Sequence, residues 1–334
     1  MAKHKQTVLT GDRPTGKLHL GHFVGSLKNR LILQEKYPMF ILVADLHALT
    51  TNTDTSQIAE NVKNLILDQL AIGLDPKKVV FCGQSQIPED AELAIIFSML
   101  VSKPTVERVP TLKEMLRDLK IENPSLGLIN YPVLQAADIL MVKGSLVPVG
   151  KDQASHIELA REIAARFNSL YGEVFPIPEP LIPKDTGTLP GLDGKAKMSK
   201  SLGNAIFLSD DPKTVSEKVM QMYTDPGHIH ASDPGKVEGN VVFTYLDIFD
   251  LDKKEVEKLK ADYRQGGLGD VVIKKRLIEV LNKILAPIRE RRKELEKNPK
   301  AIMKILEDGT KKAREVAKET LSEVKKAMKI NYFD

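Results

Sequence analysis

Short, nearly continuous apolar runs alternate with helical patterns over the first two hundred residues. Thr7–Gly11, Met39–Ala44 and Val79–Gly83 are β-branched or aromatic with few polar breaks, which predicts buried strands. Between the second and third, Ser56–Ile72 repeats its apolar residues at helical spacing and stops at Gly73, which predicts an amphipathic helix. Strand, helix, strand in quick succession predicts parallel strands with right-handed crossovers. Such sheets bind ligands beyond the carboxyl ends of their strands, where Gly11, Asp45 and Gly83 lie.

Residues 85–125 are less regular, with an apolar helix at Ala91–Val101 and a charged one at Thr111–Leu119. We read them as an insertion between two halves of the sheet and as a candidate dimer surface. Tyr131–Val142 is an apolar helix, Leu146–Gly150 a strand whose Pro148 places it near an end or edge, and Asp152–Ser169 a long amphipathic helix. Gly187–Asn204, rich in Gly, Ser and Lys, reads as a mobile loop. Beyond Asp211 every segment reads helical, including Gly269–Asn298, broken at Pro287, and Thr310–Lys329. The fold class is therefore α/β: a doubly wound parallel-sheet nucleotide-binding domain over 1–204 and an α-helical domain over 205–334.

The 334 residues, 42% hydrophobic, suffice for two domains with a large core. No apolar run approaches the ~18 residues of a membrane span, and the N-terminus leads into a strand without an apolar leader. The single cysteine, Cys82, excludes an internal disulfide and a cysteine-rich metal cage, and its setting reads as a buried small hydrophobe. A cytoplasmic enzyme or binding protein fits. The net charge of +4 is uneven: Leu251–Asp334 carries 23 Lys+Arg against 15 Asp+Glu, the first 250 residues 26 against 30. A basic helical end suits a polyanion, RNA before membrane, although a solvated surface would look the same.

Chemistry concentrates in two motifs. In His19-Leu-Gly-His22 two histidines flank a glycine where a strand gives way to a helix. A metal pair there would need a third ligand, and none stands at ligand spacing. A helix start offers unpaired N–H groups and the positive end of the helix dipole to a phosphate. Far downstream, Lys195-Ala-Lys-Met-Ser-Lys-Ser-Leu-Gly-Asn204 sets lysines and small hydroxyl residues in a glycine-bounded loop, which suits a triphosphate.

His19-Leu-Gly-His22 resembles the HIGH signature of class I aminoacyl-tRNA synthetases, and Lys197-Met-Ser-Lys-Ser201 matches their KMSKS signature without a change. The chain resembles in particular the bacterial-type tryptophanyl-tRNA synthetases, over essentially its whole length. Gly11-Asp-Arg-Pro-Thr-Gly16, Tyr131-Pro-Val-Leu-Gln-Ala-Ala-Asp-Ile-Leu140, Val147-Pro-Val-Gly-Lys-Asp-Gln153 and His156-Ile-Glu-Leu159 carry that likeness.

The resemblance implies activation of L-tryptophan by ATP, accompanied by Mg²⁺, to an adenylate and pyrophosphate, then transfer to tRNA(Trp). It also implies a homodimer whose helical C-terminal domain reads the anticodon. His19, His22, Lys197 and Lys200 are the expected catalytic groups, the lysines holding the leaving pyrophosphate. ATP would lie against Gly21 and His22, with Thr10, Gly11, Asp12, Arg13, Gly150, Lys151 and Asp152 around it and Met198, Ser199 and Ser201 in the closing loop. Lys274-Lys-Arg276 and Arg289-Glu-Arg-Arg-Lys293 are expected on the tRNA backbone.

Asp138 lies in a mostly apolar stretch, where an unpaired carboxylate would be costly to bury. It is either satisfied by backbone N–H groups or accepts a hydrogen bond from the substrate, which in this family is the indole N–H. A site of that kind rejects analogues lacking the donor by ~10⁴–10⁵. By family position Tyr131, Gln135, His47, Val147, Val149 and Gln153 complete the pocket. Gln135 stands where relatives carry methionine, and Tyr131, Gln135 and Asp138 share the spacing of the tyrosyl-tRNA synthetase pocket. Arg13, His22 and Met115 also depart from the commoner residues, which marks a divergent branch. At this stage tyrosine–tRNA ligase, a non-tRNA adenylyltransferase and a catalytically silent RNA-binding paralogue remain the alternatives.

Overall fold

The computed structural model describes residues 6–150, 154–182, 189–200 and 202–333. Among these, five strands form one parallel sheet: β1 (Val8–Asp12), β2 (Met39–Val43), β3 (Val79–Gly83), β4 (Leu146–Pro148) and β5 (Glu179–Leu181). Their order is β3-β2-β1-β4-β5, all neighbours parallel, so the winding reverses between β1 and β4. That reversal opens a crevice at the carboxyl ends of the strands. The register brings Asp12, Val43 and Gly83 level at that end.

After β1 the chain enters α1 (Leu20–His22), passes through a π-helical stretch at Phe23–Leu27 and continues as α2 (Lys28–Leu33). α3 (Asp45–Leu49) and α4 (Ile58–Ile72) link β2 to β3. The predicted insertion holds α5 (Pro88–Ser98), α6 (Lys103–Glu107) and α7 (Pro110–Asp118), followed by α8 (Leu126–Met141). α9 (Ala154–Tyr171) joins β4 to β5. The remainder comprises α10 (Pro212–Met220), α11 (Val241–Phe249), α12 (Lys253–Gln265), α13 (Asp270–Glu296) and α14 (Pro299–Ala327).

The pleat sends alternate strand residues into two cores. Val8, Ile41 and Phe81 pack with α4 and with Leu277, Leu281 and Leu285 of α13; Leu9, Leu42 and Cys82 pack with α5, α8 and Ala313 and Ala317 of α14. Cys82 is the buried small hydrophobe the sequence predicts, and burial pushes its thiol up. α14 crosses β3 so closely that a Cβ on Gly309 would stand 2.0 Å from the Phe81 carbonyl oxygen. Thr310 Oγ1 accepts the Gly83 N–H at 3.0 Å, satisfying the backbone of this outer strand.

Several sequence expectations need correction. α13 runs through Pro287 unbroken, because Leu281, Leu285 and Ile288 keep its apolar face in the core on both sides of the proline. α14 begins at Pro299 rather than Thr310, with the Asn298 side chain accepting the Ala301 N–H. Residues 221–240 are turns, not helix; Asp225 accepts from the N–H groups of Gly227 and Lys236 and holds them in place. β5 was missed because Pro180 interrupts it. The part of the Gly/Ser/Lys segment at 189–200 is tied by backbone bonds from Gly191 N–H to Ala196 O and from Met198 N–H to Leu189 O.

The basic clusters of α13 are also largely committed within the chain. Lys274 Nζ donates to Met220 O, Arg276 pairs with Asp250, Arg289 donates to Asp210 O, Arg291 to Ala71 O and Arg292 to Asp68. Lys274 and Arg292 are buried and Arg276 and Arg289 half-buried, whereas Lys275, Arg291 and Lys293 are exposed.

Candidate active site

The histidine turn is built from the backbone up. Leu18 N–H donates to the buried Asp68 carboxylate of α4 at 2.7 Å, fixing the chain just ahead of His19. His19 caps α1 in an extended conformation, and its N–H donates to His22 Nδ1 at 3.2 Å. The His22 ring proton therefore sits on Nε2. The two rings lie 3.8 Å apart, centroid to centroid. Burial, then His22 and Lys200, hold His19 down at about 3; burial and Lys200 hold His22 at about 4 against the pull of Asp12. At neutral pH both act as uncharged hydrogen-bonding groups.

The lysine loop is seated against this turn. Leu20 N–H donates to Ile206 O, Leu208 N–H to Leu18 O, and Gly21 N–H to Met198 Sδ at 3.3 Å. A Cβ on Gly21 would stand 2.9 Å from the His19 imidazole and 3.4 Å from Met198, so glycine is the residue that fits. Lys200 Nζ donates to Gly16 O at 2.9 Å and Thr15 Oγ1 at 3.3 Å. Burial lowers Lys200 to about 8, opposed by Asp12 and Asp68. Ser199 N–H donates to Asn204 Oδ1. Lys197, by contrast, is exposed beside Pro190, so the two signature lysines do not share a location.

A cavity of about 430 Å³ opens at the crevice beside β1 and β4. It gathers Thr10, Gly11, Asp12, Arg13 and Gly150 of the expected ATP site. His47, Tyr131, Gln135, Asp138, Val147 and Val149 of the expected amino-acid pocket line it as well. Lys151, Asp152, Gln153 and Ser201 lie outside the described residues. Gly25, Ser26, Asn29 and Arg30 also line the cavity; the wider π-helical turn just before α2 presents the first two.

Sequence reasoning missed three polar groups that organise the site. Arg30 is buried and grips both oxygens of Asp12 (2.5 and 3.0 Å) while also donating to Gln69 and Gly11 O. Burial works to raise Asp12, yet Arg30, His22 and Lys200 hold it below the usual carboxylate range. Asp68 joins Leu18 to Arg292 of α13. Gln84 Nε2 donates to Asp138 Oδ1 at 2.7 Å, and His47 Nε2 meets Oδ2 at 2.9 Å, so Asp138 is satisfied by side chains rather than by backbone. The available signal was a charged or amide residue inside an apolar run, as in Leu-Ile-Leu-Asp68-Gln-Leu. Tyr131 OH meets Thr111 Oγ1 at 3.2 Å and His156 Nε2 at 3.1 Å, and burial raises its pKa.

A family model described as class I tRNA synthetases (W and Y) matches residues 1–286. The chain belongs to this family. It is 52% identical over 324 residues to the tryptophan–tRNA ligase of Treponema pallidum, covering 96% of each chain. To that of Streptococcus pyogenes serotype M3 it is 53% identical over 338 residues, covering 98% of this synthetase and 99% of the relative. The solved tryptophanyl-tRNA synthetase of Campylobacter jejuni, complexed with ADP and tryptophan, superposes with a TM-score of 0.87 at 35% identity, covering 97% of this chain and all of that one.

Proposed function

We propose that this synthetase is a tryptophan–tRNA ligase. It activates L-tryptophan with ATP to tryptophanyl-adenylate and pyrophosphate, then transfers tryptophan to tRNA(Trp). The observation that carries the reading is Asp138, a carboxylate held by His47 and Gln84 in a cavity where Val147, Val149 and Ile139 supply apolar wall. A fixed acceptor facing an apolar slot selects a large apolar ring with one N–H donor.

Positioning and electrostatics carry the chemistry, as in other phosphoryl transfers. The tryptophan carboxylate attacks the α-phosphate, and the phosphoanhydride bond to pyrophosphate breaks. Neutral His19 and His22 supply hydrogen bonds to phosphate oxygens without a fixed charge that would have to be neutralised in the empty site. Lys200 draws off negative charge as pyrophosphate leaves, and Lys197 joins it when the loop closes over ATP. Thr10, Arg13 and Gly150 flank the nucleotide. Mg²⁺ would enter with ATP and screen the phosphate charge, while Asp12 is committed to Arg30.

The division at residue 204, the anticodon-reading role of the C-terminal helices and a cytoplasmic homodimer belong to the same proposal. Ile95 of α5 and Met99 just after it, 61% and 73% exposed, support a dimer surface in the insertion. Among the described residues, no helix is long and apolar enough to cross a membrane.

ATP–pyrophosphate exchange with tryptophan, tyrosine and phenylalanine in parallel tests the assignment. Exchange driven by tryptophan, followed by charging of tRNA(Trp), is expected; exchange driven by tyrosine would overturn it.

A further inference from the structure

Residues 189–198 form a short hairpin with Lys197 on its second arm. Gly191 N–H donates to Ala196 O at 2.8 Å and Met198 N–H to Leu189 O at 3.0 Å, and these bonds bracket the antiparallel pair of Pro190 and Lys197. In a pair of this kind the backbone groups point away from the hairpin, while the two residues stand at the closest cross-strand spacing. Pro190 has no N–H, so the outward backbone group it presents is its carbonyl. Tyr245 of α11 takes that carbonyl, its OH donating to Pro190 O at 2.7 Å. The Tyr245 side chain is fully buried in the core that holds Phe243, Leu246 and Leu277. Burial pushes its phenol up, so the hydroxyl stays a donor at working pH. The tip of the hairpin rests on neighbouring residues. Tyr223 N–H donates to Leu192 O at 2.8 Å, and a Cβ on Gly194 would stand 3.1 Å from both the Tyr223 ring and Val241. Lys200 is anchored elsewhere, on Gly16 O and Thr15 Oγ1 of the histidine turn.

We propose that Tyr245 is a positioning residue for Lys197: by holding the Pro190 carbonyl it fixes the arm of the hairpin opposite Lys197, and so sets where that lysine enters as the loop closes over ATP. The inference rests on the reading of Lys197 as a holder of the leaving pyrophosphate. Lys197 is exposed, and the backbone beneath it sets its starting position. The two signature lysines thus take their places from separate parts of the chain, Lys200 from the histidine turn and Lys197 from α11. Loss of the Tyr245 hydroxyl leaves the ring packed but frees the Pro190 carbonyl, and the hairpin can then shift under Lys197 without disturbing Lys200.

Tyr245→Phe in the full-length enzyme keeps the ring and removes the hydroxyl. Single-turnover formation of tryptophanyl-adenylate should slow about tenfold, with KM for tryptophan unchanged. In a Lys197→Ala background the same substitution should slow that step less than about twofold, because the group it positions is gone. A general loss of packing would slow both backgrounds equally. Trypsin supplies a readout without catalysis: cleavage of the native protein after the exposed Lys195 and Lys197 should be about three- to tenfold faster in Tyr245→Phe. An unchanged first step, equal slowing in both backgrounds, or unchanged cleavage overturns the proposal. Those outcomes, in a parent enzyme that activates tryptophan, fail the role of Tyr245 alone. A parent enzyme that exchanges pyrophosphate with no amino acid fails the ligase reading, and this inference with it.

Discussion

The Gly21 N–H donates to the Met198 sulfur at 3.3 Å, so the histidine turn and the lysine loop, 177 residues apart, meet through one backbone donor and one thioether. Met198 is buried in the same core cluster as Leu18 and Leu20. Met198→Ala removes that anchor while leaving both lysines in place. Adenylate formation should slow about 10–100-fold, from the lost packing of one side chain at the loop, with KM for tryptophan unchanged. Rapid-quench measurement of the first step reads this directly, and an unaltered rate would show that the sulfur contact does not position the loop.

Lys200 should impose an alkaline limit on ATP use. Its ammonium is lowered to about 8 by burial, so the charged form is lost as pH rises through that value. In the free enzyme kcat/KM for ATP should fall about tenfold per pH unit above it. Lys200→Arg keeps the charge at all working pH values and should abolish the fall, although the altered reach lowers the plateau. A pH–rate profile with the same alkaline limb in both proteins would assign that limb to another group.

His19 and His22 should make the fold acid-sensitive. Their ordinary value of 6.5 drops to about 3 and about 4 in the folded chain. Between those values the unfolded chain binds more protons than the native one, so stability falls as pH decreases from about 6.5 toward 4. Urea midpoints measured across that window should decline less steeply in His22→Asn than in the parent. Equal slopes would place the acid sensitivity elsewhere.

Arg292 and Asp68 tie the last long helices to the ATP turn. Asp68 is fully buried, pairs with Arg292 of α13 and accepts the Leu18 N–H. Arg292→Met strands the carboxylate and should cost about 3–5 kcal/mol in a denaturation experiment. Because the same carboxylate holds Leu18, KM for ATP should rise in the folded fraction. The double variant Asp68→Leu with Arg292→Met should recover much of the stability but not the ATP affinity, since Leu18 N–H stays unpaired.

Much of this protein was legible in one dimension. Three β-branched runs, a helix ending at Gly73, and two signatures whose residue types suit phosphate determined the parallel sheet, its first crossover and the ends of the strands where ligands gather. They did so because local periodicity and glycine placement are properties of neighbouring residues. Segment ends were less legible: Pro287 does not break α13 because tertiary burial on both flanks outweighs the one backbone bond that proline removes.

What the tertiary structure alone decided is the pairing of polar groups distant in sequence. Arg30 looks like one more surface cation until the sheet places it over Asp12. Gln84 acquires meaning only where β3 ends beside α8. The α13 cations read from sequence as an RNA surface, yet several are directed inward to carbonyls and carboxylates that the sequence supplies elsewhere. A buried charge needs a partner, and only folding selects which partner is within reach.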